Sequence, residues 1–148
     1  MSRNLATRAI LGFFFLAGCF FNKPSAPWKP ASGIAELDKL TEQPHEPTGT
    51  IPAAELDKMN ASGVARFETR FLHVRSHNHL DSPLAKVVLR CVVSRSEGKV
   101  RKDETHMRKL LAAPHSDFQV TIRLGRQPRP NEVWSWALVD GTEGNEPR

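Results

Sequence analysis

His73, His77 and His79 are three imidazoles within seven residues. In an extended segment, residues two apart share a face, so His77 and His79 point the same way and Asp81 continues the phase. Imidazoles and a carboxylate arranged like this would suit zinc or copper. The stretch from Ser76 to Pro83 is also rich in the polar residues that gather in surface turns, and a plain turn is the simpler reading. His45, His106 and His115 add no ligand spacing. No metal or other cofactor is therefore expected, with His77 and His79 kept as the candidates.

Trp134-Ser135-Trp136 places two indoles on one strand face. Such a pair can stack on sugar rings or simply fill a core, and Val133, Ala137 and Val139 occupy the opposite face. His115-Ser116-Asp117 contains the residue types of a hydrolytic triad, but neighbours in a strand point apart and cannot form a relay. The chain has no Gly-x-Ser-x-Gly, phosphate loop or dinucleotide fingerprint. Cys91 lies within Val87-Val-Leu-Arg-Cys-Val-Val93 and reads as a small buried hydrophobe, because a nucleophile needs access and a lowered pKa. Enzymatic activity is not expected.

The elements that must position these residues are strands. Phe118, Val120, Ile122 and Leu124 alternate with polar residues, which marks a half-buried strand. Val87, Leu89, Cys91 and Val93 mark a more deeply buried one. Phe67, Thr69 and Phe71 mark a strand from about Val64 to Arg75, and Trp134, Trp136 and Leu138 mark the last. Ser96-Glu97-Gly98 reads as a hairpin turn. Residues 99–111 fit a helix or a polar edge strand, with the strand favoured. Short strands at this spacing predict a small all-β sandwich.

Upstream the chain changes character. Met1 to Arg8 carries Arg3 and Arg8 and no acid, and an apolar run from Ala9 to Ala17 follows. A basic start, a short apolar core and small residues before a cut mark an export leader. Nine helical residues span only about 13 Å, against roughly 30 Å of hydrocarbon, so the run is too short to cross a membrane. Leu16-Ala17-Gly18-Cys19 resembles the lipobox of bacterial lipoproteins. The resemblance implies a diacylglyceryl group on the Cys19 sulfur, cleavage before Cys19 and acylation of its new amino group. Phe20, where Asp would retain the product in the inner membrane, implies an outer membrane and its periplasmic face. Two or three acyl chains suffice for a stable anchor where one does not.

Residues 20–63 hold six of the eleven prolines. A segment so poor in apolar surface reads as a stalk. Within it Ala35-Glu-Leu-Asp-Lys-Leu40 recurs as Ala54-Glu-Leu-Asp-Lys-Met59. Ser32 would cap the first copy as a helix, Thr50 and Pro52 suit the start of the second, and Asn60 suits its end. Helices this short are unstable alone. They would fray, present a partner motif twice, or dock on the chain's own domain.

Charge is uneven. Residues 19–61 hold four lysines against six acids, whereas residues 62–148 hold fifteen Lys and Arg against ten acids. A basic domain outside the cytosol meets little nucleic acid, so none is expected as a partner. Anionic head groups or acidic proteins fit the charge, as does a solvated surface kept for solubility. With Cys19 carrying lipid, Cys91 has no partner, and no disulfide framework arises.

The succession from Val64 to Leu124 is similar to immunoglobulin-like bacterial modules of the FxLYD kind. It runs from an opening strand through the Asn78–Ser82 turn to a hydrophobic strand, Glu97-Gly98-Lys99, and the step Pro114-His-Ser116-Asp-Phe118-Gln-Val120. The Leu-Tyr-Asp that names those modules has no counterpart here, and the chain has no Tyr. The resemblance implies a non-enzymatic sandwich. The expected organisation is a removed leader over 1–18, a lipidated Cys19 and proline-rich tether over 19–63, an immunoglobulin-like β-sandwich over 64–140 and a disordered tail over 141–148. The expected function is binding another envelope protein or assisting assembly. The alternative is a periplasmic module that binds glycan through Trp134 and Trp136, or metal or a small ligand.

Overall fold

The computed structural model of the protein describes residues 26–46 and 48–144. Leu16, Ala17, Gly18 and Cys19 lie outside them. Seven strands and two helices follow in the order β1 (Lys29–Pro30), α1 (Ile34–Thr41), α2 (Ala53–Ala61), β2 (Val64–Glu68), β3 (Phe71–His77), β4 (Leu84–Arg95), β5 (Val100–Ala112), β6 (Asp117–Arg123) and β7 (Glu132–Glu143). The strands form two antiparallel sheets, β1-β2-β3-β6 and β5-β4-β7, so the chain is an all-β sandwich.

Alternation explains the layers. Ala65, Phe67, Leu72, Val74, Phe118, Val120 and Ile122 project inward from the first sheet, and Val87, Leu89, Cys91, Trp136 and Leu138 from the second. The stretch expected as one strand from Val64 to Arg75 is two. Glu68 pairs with Phe71 across a tight reversal in which Thr69 takes a left-handed φ of 55°. A β-branched residue rarely turns there, which is why the pattern hid the break. The turn at Ser96-Glu97-Gly98 forms as expected. Gly98 has φ 90°, and the Arg95 amide donates to the Lys99 carbonyl at 2.9 Å. Residues 100–112 form the edge strand β5.

The described part of the expected tether is not a stalk. Lys29 and Pro30 pair with Ala65 and Val64. Helix α2 buries Leu56 and Met59 in the main core, and α1 buries Leu37 in a second cluster with Val92, Ala137 and Val139 on the outside of the second sheet. The first helix does not start on the expected Ser32, whereas the second starts at the expected Pro52. Gly33 and Pro52 occupy the N-cap positions without a side-chain bond. Asn60 lies inside α2 rather than ending it. The stretch expected as a tail from 141 onward begins inside the last strand, because β7 runs through Glu143.

Among the described residues no strand follows β7, whose outer edge would otherwise be open. Open edges invite pairing with other chains. Here the N-terminal segment covers it. The Ser32 amide donates to the Trp136 carbonyl at 2.8 Å, and the Thr50 amide to the Gly141 carbonyl at 3.0 Å. The Asn60 side chain acts as a surrogate strand residue. Its Nδ2 donates to the Leu138 carbonyl at 2.9 Å, and its Oδ1 accepts from the Leu138 amide at 2.7 Å. Both sheets, both apolar clusters and this cover are complete within residues 29–144, so the chain from residue 19 onward carries all of them.

Candidate functional site

The sequence candidates separate in space. Trp136 is fully buried and donates its indole N–H to the Lys29 carbonyl at 3.1 Å. It cannot stack on a sugar, which removes the paired-indole glycan surface. Trp134 is half-buried and meets Phe67 edge-on, with centroids 4.9 Å apart. The Lys29 ammonium stands 5.0 Å from the Trp134 ring, and burial holds its pKa below the usual lysine range.

His77 and His79 do come together, with ring centroids 4.8 Å apart. Each is already engaged, His77 Nδ1 with Asp117 at 2.8 Å and His79 Nε2 with the Ser62 hydroxyl at 3.1 Å. Asp81 turns away to His115 at 2.7 Å, and His73 contacts Thr121 at 3.0 Å. Among the described residues no group of three or more His, Cys, Asp or Glu is placed to hold a metal ion. His115 and Ser116 lie in the turn before β6 rather than in a strand, and the three side chains go to separate partners, His115 to Asp81, Ser116 to the Ala113 carbonyl at 2.7 Å and Asp117 to His77. Cys91 is a buried free thiol whose pKa burial pushes up to about 12, the reverse of what a nucleophile needs.

The clearest surface assembly lies on the outside of the first sheet. Strand periodicity puts Arg66 beside His73 and Thr121, Arg75 beside Gln119, and Phe71 beside Arg123. A shallow groove bounded by Ser62, Arg75, His77, Asp117 and Gln119 runs across this face. Outside this groove, on the β1 side of the face, Trp28 receives two guanidinium groups, with Arg66 at 4.6 Å and Arg75 at 4.5 Å from the ring centroid. Each such contact contributes about 0.5–1 kcal/mol at a partly exposed site. The Arg75 Nε donates to Gln119 at 3.2 Å, while the buried Arg66 Nε finds no partner among the described residues. Nothing in the alternation marks Trp28, whose only signal is being a lone indole between Pro27 and Pro30.

A second charged assembly is structural. Arg90 is buried on the outer side of β4 and makes a forked contact with Asp103, Nε at 2.9 Å and Nη2 at 2.7 Å. Its other donors reach Asp38 Oδ1 at 3.2 Å, the Gln43 carbonyl at 3.1 Å and the Thr41 hydroxyl at 2.8 Å. A buried guanidinium requires such saturation, and here it ties α1 to the sheet.

The core-facing side of β5 carries Lys102, Glu104 and His106 opposite Val93, Cys91 and Leu89. Burial disfavours the Glu104 carboxylate, but bonds from Lys102 and His106 outweigh it and hold its pKa below the usual range. Inward charges are one way an edge strand resists uncontrolled pairing. The outer side of β5 is different, with Met107 52% and Leu111 59% exposed.

No protein-family model, curated protein or solved structure matches the chain. The class defined by the fold is an all-β sandwich closed along one side by its own N-terminal segment.

Proposed function

We propose that the protein is a lipid-anchored lipoprotein of a bacterial cell envelope, held by Cys19 on the periplasmic face of an outer membrane. Its sandwich binds another envelope protein or serves as an assembly accessory, without catalysis. The anchor rests on the lipobox-like Leu16-Ala17-Gly18-Cys19 after a basic and apolar leader. No helix among the described residues is long and apolar enough to cross a membrane.

The observation that carries the partner reading is β5. It is a thirteen-residue strand at the end of its sheet, with Met107 and Leu111 standing out beside it. An added strand from a partner would gain backbone hydrogen bonds from the edge and specificity from those apolar side chains. A photo-crosslinking residue at position 107 or 111, installed in the full-length protein in cells, should give one discrete protein adduct. Absence of any adduct, with retention of the protein on isolated sacculi, would end this reading. The anchor is checked separately. Cys19→Ser should leave an uncleaved precursor that takes up no radiolabelled palmitate.

A further inference from the structure

We propose that the outer face of the β1-β2-β3-β6 sheet rests on anionic lipid head groups of the membrane that holds the anchor. The inference builds on the lipoprotein reading and assigns the face that reading leaves open. Three observations lead to it.

The first is composition. This face presents the aromatic rings of Trp28 and Phe71, the latter 40% exposed, among Arg66, Arg75 and Arg123. Tryptophan and arginine together suit a boundary that is apolar on one side and wet and charged on the other.

The second is charge. The face also carries two carboxylates, Glu68 and Asp117, and both lie against imidazoles, Glu68 3.3 Å from His73 and Asp117 2.8 Å from His77. None of the three arginines enters an ion pair among the described residues. The guanidinium groups therefore remain available to phosphate oxygens, which they bind as a planar fork.

The third is reach. Trp28 is nine residues beyond Cys19, and a chain extends by at most about 3.5 Å per residue, so the face lies within about 32 Å of the anchored sulfur. The 44-residue stalk expected from sequence would have lifted the domain clear. Packing of residues 29–63 on the sandwich removes that slack.

The test uses residues 19–148 with Cys19→Ser, which has no lipid and so reads the face alone. Co-sedimentation with vesicles of phosphatidylcholine and phosphatidylglycerol in equal parts should show binding, and pure phosphatidylcholine vesicles should show little. Arg66→Glu with Arg75→Glu should weaken binding at least tenfold, and Trp28→Ala severalfold. The same charge change on the opposite sheet, Arg101→Glu with Lys109→Glu, should stay within twofold of the parent. Arg66→Gln with Arg75→Gln serves if the reversal disturbs folding by circular dichroism, and should also lose binding. Equal loss from both sheets, no binding to the anionic vesicles, or equal affinity for polyglutamate overturns the proposal. Palmitate uptake by the full chain is measured independently, so a failed anchor and a failed face give different results.

Discussion

The helices α1 and α2 carry the same Ala-Glu-Leu-Asp-Lys hexad stem and do different work. In both, the central leucine is the anchor, Leu37 in one and Leu56 in the other. In both, the residue just after the motif makes the polar contact to the sandwich. Thr41 accepts from Arg90, and Asn60 pairs with the Leu138 backbone. The environments then diverge. Leu56 joins the main core with Met59, while Leu37 lies outside the second sheet beside a half-buried Leu40. Asp38 bonds Arg90, whereas Asp57 is exposed. Five identical residues therefore specify a helix with one apolar stripe, and the strand surface it meets assigns the rest. Burial of both leucines shows that each copy of the motif docks on the chain's own domain.

The comparison can be broken most sharply at the leucines. Leu56→Ala should cost about 4 kcal/mol and Leu37→Ala about 3 kcal/mol by chemical denaturation, because truncation in an enclosed core leaves the larger cavity. A reversed order would mean that the outer cluster, not the main core, holds the N-terminal segment. Next comes the polar contact. Asn60→Ala strands the Leu138 amide and carbonyl and should cost about 2–3 kcal/mol. Thr41→Ala should cost about 1 kcal/mol, since Arg90 keeps its other acceptors. Equal losses would remove the distinction between a surrogate strand residue and an auxiliary acceptor.

The linker between the helices gives a pH readout. Asp140 accepts from the Thr48 amide at 2.7 Å, the Gly49 amide at 2.9 Å and the Gly141 amide at 2.8 Å. Burial disfavours its charge, yet these bonds prevail and lower its pKa from 3.8. A depressed folded pKa contributes stability above the unfolded value that disappears as pH falls through the folded one. Asp140→Asn should therefore cost about 2 kcal/mol at neutral pH. It should also flatten the loss of stability measured from pH 4 downward, and an unchanged acid slope would exclude Asp140 as its source. The smallest effect separates the paired acids. Asp38→Asn should cost about 1 kcal/mol and Asp57→Asn close to nothing, and thermal melts of the two would show it.

Much of the sandwich was legible in the sequence because a half-buried strand writes its two faces directly into alternation. Phe118 to Leu124 is such a case, while Val87 to Val93 is buried on both faces and reads as a nearly continuous apolar run. The helices were legible as helices but not as parts of the domain. A segment of eight or nine residues with one buried leucine resembles a frayed tether until its docking surface is known. Arg90 is hidden for a related reason. A charge within an apolar run is satisfied by Asp103 on the neighbouring strand together with Asp38, Thr41 and Gln43, which lie 52, 49 and 47 residues away. Of the candidate residues, His77 and His79 lie side by side, each with its own partner, and Trp136 fills the core. The Trp28 face was not visible, because it forms only when a two-residue strand sets an indole over arginines from β2 and β3.

The cover over β7 also orders events in time. Its contacts join residues made first to residues made last, Gly49 to Asp140 across 91 positions and Asn60 to Leu138 across 78. Such distant contacts make a slow-closing topology of high contact order. A chain still lacking β7 has nothing on which to lay its N-terminal segment and leaves β4 unpaired on one side. The molecule thus stays open until β7 has been made. A chain truncated at Arg129 should accordingly be digested at protease concentrations that the whole protein survives.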